Sequence, residues 1–121
     1  MTGATDPGQP GEPGPPEGAL GIEQSRNGDS AVLRLTGELD LSNVAEAEAV
    51  LVAAEAEAPG VLLIDLSGLR FVDSSGVRLV LLAQARAAQA DRRLVLGLGR
   101  GPARRLFDVL GLLPRMDLLD P

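Results

Sequence analysis

A short apolar run that leads through a polar tetrapeptide into a helical pattern constrains the fold of this 121-residue chain most. Residues 61–66 (Val-Leu-Leu-Ile-Asp-Leu) are nearly uniformly apolar, as expected of a buried strand. Ser67-Gly68 is predicted to form a turn, residues 69–72 return to the interior, and residues 77–90 have a helical pattern. The intervening residues 73–76 (Asp-Ser-Ser-Gly) therefore lie where a helix begins.

The start of a helix favours three roles for these polar residues. Its first backbone N–H groups lack partners within the helix and carry a partial positive charge. They can be satisfied by a capping side chain, by a bound anion, or by a phosphate attached to one of the serines. Local chemistry favours simple capping, but a cap needs only one polar group, whereas Asp73, Ser74 and Ser75 supply three.

The remaining pattern predicts an α/β domain over residues 19–121. A possible edge strand at 20–23 and a strand at 31–36 flank the turn signal Asn27-Gly28. Residues 37–40 are expected to form a loop, and Ser42 is a candidate N-cap for a helix over 43–57. A fourth strand at 94–96 and a helix at 103–110, opened by Pro102, complete an α/β domain with a mixed sheet. Loops at one end of that sheet would collect Asp40, Asp73 and Ser74.

Missing residue types exclude much catalytic chemistry. The sequence has no cysteine and no histidine, so a disulfide, a Cys/His metal site, a thiol nucleophile and a Ser-His-Asp triad are all impossible. No spacing suggests a carboxylate metal site, and no residue pattern calls for a cofactor. We therefore expect a binding module that is not an enzyme.

Charge and hydropathy limit the partners. The net charge of −6 argues against direct nucleic-acid binding, which depends on neutralising phosphates. No apolar run approaches the roughly 18 residues that span a membrane, and no secretory signal is present. These features predict a cytoplasmic protein without membrane contact. Residues 1–18 are rich in proline and glycine with few apolar residues, and they are predicted to be a disordered tail.

Two further patterns invite functional interpretations. The glycine-rich residues 97–101 lie between a strand and a helix and suggest a weak nucleotide-binding loop, but the lysine of a phosphate-binding loop is absent, and a flexible turn is favoured. On the predicted helix 77–90, one outward stripe contains Arg78 and Leu82. Leu82 is either an incidental exposed apolar residue or an anchor for a partner, since it lies two turns from Ser74.

Three segments in order carry a family resemblance: Arg34-Leu-Thr-Gly-Glu-Leu-Asp40, Asp65-Leu-Ser-Gly-Leu-Arg-Phe-Val-Asp-Ser-Ser-Gly-Val77, and residues 103–112 (Ala-Arg-Arg-Leu-Phe-Asp-Val-Leu-Gly-Leu). Over about residues 19–120 the chain resembles the STAS-domain anti-anti-sigma factors, or anti-sigma factor antagonists, of bacterial sporulation and general-stress partner-switching modules.

The resemblance implies a STAS fold, with a mixed sheet of four to five strands flanked by helices. It also implies a phosphorylation switch in transcription regulation. The unphosphorylated protein would bind an anti-sigma factor that is also a serine kinase and so release a sigma factor. The kinase would phosphorylate Ser74, and a serine phosphatase would reverse this. Asp73, Ser75 and Gly76 would shape the site, and Asp40 would contribute to docking. The alternative is a STAS module that is not phosphorylated and serves as a scaffold or ligand sensor in a larger regulatory assembly.

Overall fold

The computed structural model describes residues 15–119, which form one mixed sheet with three α-helices. The elements are β1 Leu20–Asn27, β2 Ser30–Leu39, α1 Val44–Glu55, β3 Val61–Val72, α2 Ser74–Ala90, β4 Arg93–Gly97, α3 Pro102–Val109, a 3-10 turn Leu113–Arg115 and β5 Leu118–Leu119. The strands lie side by side in chain order; β1 pairs antiparallel with β2, and β2 to β5 are parallel to one another.

A hairpin turn joins the first two strands, as the sequence predicts. Asn27 pairs with Ser30, and Gly28 between them has a φ of +61°, a conformation that glycine adopts without steric cost. The two strands are both longer than the apolar pattern suggests, because their polar ends also join the ladder. The α/β class and the mixed sheet of up to five strands are confirmed.

The core lies on the helix-covered face of the sheet. Alternate residues of β2 point into it, and the intervening residues of this strand are exposed or half-buried. All three helices add side chains to the same cluster, including Leu51 from α1, Val80 from α2 and Phe107 from α3, each fully buried. The interior is thus built almost entirely from aliphatic side chains.

The turn predicted at Ser67-Gly68 is wrong, because β3 runs through these residues to Val72. The register with β2 shifts in this region: Arg34 pairs with Asp65, but Thr36 pairs with Gly68. An extra residue in β3 therefore forms a β-bulge, which bends the strand without ending it. The local turn chemistry is present, but the pairing with β2 keeps the strand intact.

Boundaries near residues 37–43 and at the start of α2 also differ from the predictions. The loop predicted at 37–40 is mostly strand, since β2 continues to Leu39. Helix α1 follows Asn43 rather than Ser42, and neither residue caps it with its side chain. Helix α2 begins at Ser74, three residues earlier than predicted, so both serines of the tetrapeptide lie inside its first turn.

The predicted tail falls mostly outside the described residues, which begin at Pro15. Of its last residues, Pro15 accepts a hydrogen bond from the Arg70 guanidinium at 3.0 Å, and the carbonyl of Pro16 accepts one from the Ala19 N–H at 2.9 Å. Within residues 15–119, no helix combines the length and the apolar character that crossing a membrane requires.

Candidate functional site

The carboxyl ends of β2 and β3 bring the two halves of the candidate site together. Leu39 and Val72 are the last residues of these parallel neighbours and pair with each other, and the Asp73 N–H donates to the Leu39 carbonyl at 3.3 Å. Asp40 and Asp73, which directly follow these two residues, therefore lie next to each other at the same edge of the sheet. This is the edge at which open α/β sheets usually present their sites.

Asp73 is the N-cap of α2. Its backbone is extended, and its carboxylate accepts hydrogen bonds from the Ser75 N–H at 2.9 Å and from the Ser75 hydroxyl. The hydroxyl of Ser75 lowers the pKa of Asp73 most; burial acts in the opposite direction, and the backbone N–H groups of Ser75 and Leu41 lower the pKa further. The lowered pKa favours the ionised carboxylate, which is the form that accepts both hydrogen bonds from Ser75 in the first turn of α2.

The two serines of this turn differ in what their hydroxyls do. The Ser75 hydroxyl is committed to Asp73, and its side chain is half-buried. Ser74 is exposed, and its hydroxyl makes no hydrogen bond to any residue within 15–119. Of the two groups, only the Ser74 oxygen is both accessible and uncommitted.

The β2–α1 loop repeats the same local arrangement. The carboxylate of Asp40 accepts from the Ser42 N–H at 2.9 Å and from the Ser42 hydroxyl at 2.6 Å. Asn43 fixes the base of the loop, because its side-chain oxygen accepts from the Asp40 N–H at 3.0 Å and its amide nitrogen donates to the Glu38 carbonyl at 2.9 Å. These bonds hold Leu41 outward, with 79% of its surface exposed.

A third copy of this Asp-x-Ser turn lies in the bulge of β3. The carboxylate of Asp65 accepts from the Ser67 N–H at 2.9 Å and from its hydroxyl at 2.7 Å, and its other oxygen lies 3.3 Å from the guanidinium of Arg34. An aspartate that bonds the backbone two residues later imitates a turn. Asp65 is thereby assigned a structural role in the bulge, since it is buried and its carboxylate is fully engaged.

Gly76 lies beneath the site. An added Cβ would come within 2.6 Å of Val72 Cγ2 and 2.9 Å of Leu39 Cδ2. Only glycine therefore lets the first turn of α2 sit directly on the ends of both strands. Its contribution to the site is this close approach, because the residue itself is buried.

A shallow groove runs from the serine turn along the junction of α1 and α2. Its cavity volume is about 130 Å³, and we call it the α1–α2 groove; it is lined by Leu41, Val44, Glu48, Ser75, Arg78, Leu79 and Leu82. Leu82 is 38% exposed and lies two turns from Ser74, as the sequence predicts. The apolar floor and charged edges of this groove are typical of a protein-docking surface.

The charges along the groove are unevenly paired. Arg86 binds Glu48 at 3.2 Å and forms a two-pronged contact with Glu55 at 2.7 and 3.2 Å, which ties α2 to α1. The hydrogen bond to Glu55 is the main cause that raises the pKa of Arg86. Arg78 is exposed, and it forms no ion pair with any residue in the described part of the chain.

The structure thus gathers every residue singled out from the sequence. Asp40, Asp73, Ser74 and Ser75 lie around the sheet edge with Gly76 beneath them, and Arg78 and Leu82 continue along α2. Sequence reasoning missed Leu41 and Asn43. The available signal for both was an apolar residue between two polar loop residues, followed by an asparagine, whose side chain commonly bonds nearby backbone groups.

The other candidate patterns do not add chemistry to this edge. Between residues 15 and 119, no three acidic side chains are grouped closely enough to hold a metal ion. In the glycine-rich segment 97–101, Leu98 is fully buried, and Gly99 has a φ of +62° and would meet Ser67 at 2.8 Å if it carried a Cβ. Close packing and backbone conformation therefore account for Gly99.

Comparisons with known proteins agree on one family. The family model described as "Mlab, STAS domain" matches residues 22–118. The anti-sigma-B factor antagonist of Staphylococcus epidermidis is 33% identical over 94 residues, which cover 77% of this chain and 86% of that protein.

Solved structures also share the fold. An anti-sigma factor antagonist from Mycobacterium paratuberculosis has a TM-score of 0.77 at 24% identity, covering 85% of this chain and 87% of that one. The anti-sigma factor antagonist SpoIIAA in its unphosphorylated form has a TM-score of 0.68 at 30% identity, with 84% and 89% covered. The Bacillus cell fate determinant SpoIIAA in its phosphorylated form has a TM-score of 0.64 at 29% identity, with 84% and 92% covered.

Proposed function

The chain belongs to the STAS domain family and is related within it to the anti-sigma factor antagonists, and from this premise we propose that it is a partner switch controlled at Ser74. In the unphosphorylated form it binds an anti-sigma factor that is also a serine kinase, and a sigma factor is released. Transfer of a phosphate to Ser74 ends this binding, and a serine phosphatase restores it. The protein acts in the cytoplasm as a binding module and not as an enzyme.

One observation supports Ser74, and not Ser75, as the phosphorylated residue. Ser74 presents an exposed hydroxyl without a hydrogen bond within residues 15–119, whereas the hydroxyl of Ser75 is donated to Asp73. A kinase acting on Ser75 would first have to break the hydrogen bond between the Ser75 hydroxyl and the capping residue Asp73. SpoIIAA, which is similar in sequence and fold, has been solved in an unphosphorylated and a phosphorylated form, and this supports a switch by modification.

The surface around Ser74 supports docking by a protein partner. The α1–α2 groove begins beside Ser75 and ends at Leu82, and the exposed Leu41 stands at its rim. A partner covering this surface would also cover Ser74. A phosphate there adds about two negative charges, and burying an uncompensated charge costs several kcal/mol. Because about 1.4 kcal/mol is a tenfold change in affinity, a local modification is enough to prevent binding.

The direct test combines the purified chain with a candidate anti-sigma factor kinase and ATP, and maps the phosphate by mass spectrometry. We expect phosphate on Ser74 in the wild type and none on Ser74→Ala, which should still bind the kinase. Ser74→Asp should bind poorly. Transfer to Ser75, or undiminished binding by Ser74→Asp, would overturn the assignment; binding of partners with no phosphate transfer at all would instead favour a scaffold.

A second pair of variants tests the docking surface. Leu82→Glu places a charge in the groove and should weaken binding of the kinase without unfolding the chain. Val109→Glu is the matched control, since Val109 is 82% exposed on α3 and does not line the groove. Equal affinity of both variants and the wild type would remove Leu82 from the interface.

A further inference from the structure

Arg78 occupies the position from which a side chain can reach Ser74. Both residues are exposed, and Arg78 follows Ser74 by four positions in α2. Residues four apart are neighbours on a helix surface, with Cβ atoms about 5–6 Å from each other. Arg78 also lines the α1–α2 groove, so it lies between the serine turn and the surface on which a partner would dock.

The acidic groups of the groove and of the neighbouring sheet edge already have partners. Glu48, across the groove on α1, lies 3.2 Å from Arg86. At the sheet edge, the carboxylate of Asp73 is bonded to Ser75 and that of Asp40 to Ser42. Within residues 15–119, Arg78 is thus left with no anionic partner, in a chain whose net charge is −6.

A phosphate on Ser74 would supply the missing anion in a favourable orientation. An acidic group placed four residues before a basic one stabilises a helix better than the reverse order. The guanidinium has a planar fork of donors that matches two phosphate oxygens at once. We propose, on the premise that Ser74 is the modified serine, that its phosphate binds Arg78 within the same helix and so removes this cation from the docking surface.

The pairing gives the modification a second effect. In the unphosphorylated protein, Arg78 offers a free guanidinium at the edge of an apolar groove, where it can meet a carboxylate of the partner. In the phosphorylated protein, the charge of the same guanidinium is neutralised by the phosphate on Ser74 of its own helix. Phosphorylation therefore adds negative charge and withdraws a positive contact by one covalent change, with no rearrangement of the fold.

The test uses phosphoserine incorporated at position 74 during translation, so that no kinase is required. The second ionisation of the phosphate is followed by phosphorus NMR in the otherwise unaltered chain, in Arg78→Gln and in the control Arg105→Gln, an exposed arginine of α3. Asp73, Asp40 and Glu48 act on the phosphate in all three proteins and cancel in the comparison. We expect the pKa of the phosphate to rise by about 0.2–0.4 unit in Arg78→Gln only.

Two further measurements test the pairing: the salt dependence of the phosphate pKa and the NMR signal of the Arg78 side chain. The difference should shrink at 1 M salt, where the screening length is about 3 Å, and the Nε–H resonance of Arg78 should shift when position 74 carries phosphate. An unchanged phosphate pKa in Arg78→Gln, or an equal change in Arg105→Gln, would refute the pairing. This result is independent of the kinase assay. If a kinase modifies Ser74 but the phosphate does not pair with Arg78, the pairing is refuted and the proposed switch is not. If the pairing is observed but no kinase modifies Ser74, the proposed switch fails and the pairing is retained.

Discussion

The carboxylate of Asp73 accepts both the backbone N–H and the hydroxyl proton of Ser75, and this double contact leaves Ser74 as the uncommitted hydroxyl of the turn. The backbone N–H of Asp73 donates to the carbonyl of Leu39 at 3.3 Å, at the end of β2 where the β2–α1 loop begins. Asp73 therefore acts as a positioning residue, which orients the serine turn and joins it to the neighbouring loop.

Removing this cap should destabilise the domain. We expect Asp73→Ala to lower the free energy of unfolding by about 1 kcal/mol, the usual effect of losing an N-cap side chain. In a domain of this size the melting temperature should fall by about 4 °C. Asp73→Ser keeps a capping oxygen and should lose much less. Equal melting temperatures for Asp73→Ala and the wild type would contradict the capping role.

The same carboxylate should contribute to acid sensitivity. The Ser75 hydroxyl, acting with backbone N–H groups against the effect of burial, holds the pKa of Asp73 below its ordinary value in the folded chain. Its stabilising effect is therefore complete above the pKa of the unfolded chain and is lost as pH falls through the lower folded pKa, below about pH 4. The free energy of unfolding, measured with urea, should fall more steeply with decreasing pH for the wild type than for Asp73→Asn. Parallel curves down to pH 2 would exclude this contribution.

Gly76 should resist even the smallest substitution. Alanine favours a helix over glycine by about 1 kcal/mol, but here its Cβ would meet Val72 and Leu39 at 2.6 and 2.9 Å. We expect Gly76→Ala to lose about 1–3 kcal/mol of unfolding free energy in chemical denaturation. Ser74→Ala, on the exposed side of the same turn, should change it by less than about 0.5 kcal/mol. A stabilised Gly76→Ala would mean that α2 can move away from the strand ends.

Asn43 should matter more than its place in a surface loop suggests. Asn43→Ala removes the acceptor for the Asp40 N–H and the donor to the Glu38 carbonyl, so a loss of about 1–2 kcal/mol is expected from two hydrogen bonds. Calorimetry should show a smaller loss for Ser42→Ala, whose hydroxyl is exposed and bonds only to Asp40. If Asn43→Ala and Ser42→Ala have the same melting temperature, Asn43 does not organise the loop.

The sequence predicted the element order and the serine turn well because both depend on short-range patterns. The apolar run at 61–66, the turn signal at Asn27-Gly28 and the cap-forming Asp73 each act within a few residues of their own position. The errors lie where pairing overrides local preference. Ser67-Gly68 has the residue types of a turn, and Ser67 bonds back to Asp65, but the ladder with β2 keeps the segment inside β3 as a bulge.

The sequence alone predicted that an α/β domain would present two serines and a carboxylate at the start of a helix. It could do so because hydrophobic periodicity and helix capping both depend on residues that are close in sequence. The tertiary structure determined where this turn lies, because the Asp73 N–H donates to the Leu39 carbonyl at the end of β2 and Ser74 is left exposed at that edge of the sheet. It also decided that Leu41 stands beside α2, because the carboxyl ends of β2 and β3 are brought together by strand pairing across a long stretch of chain. Such contacts depend on how the strands align, and no local pattern encodes that alignment.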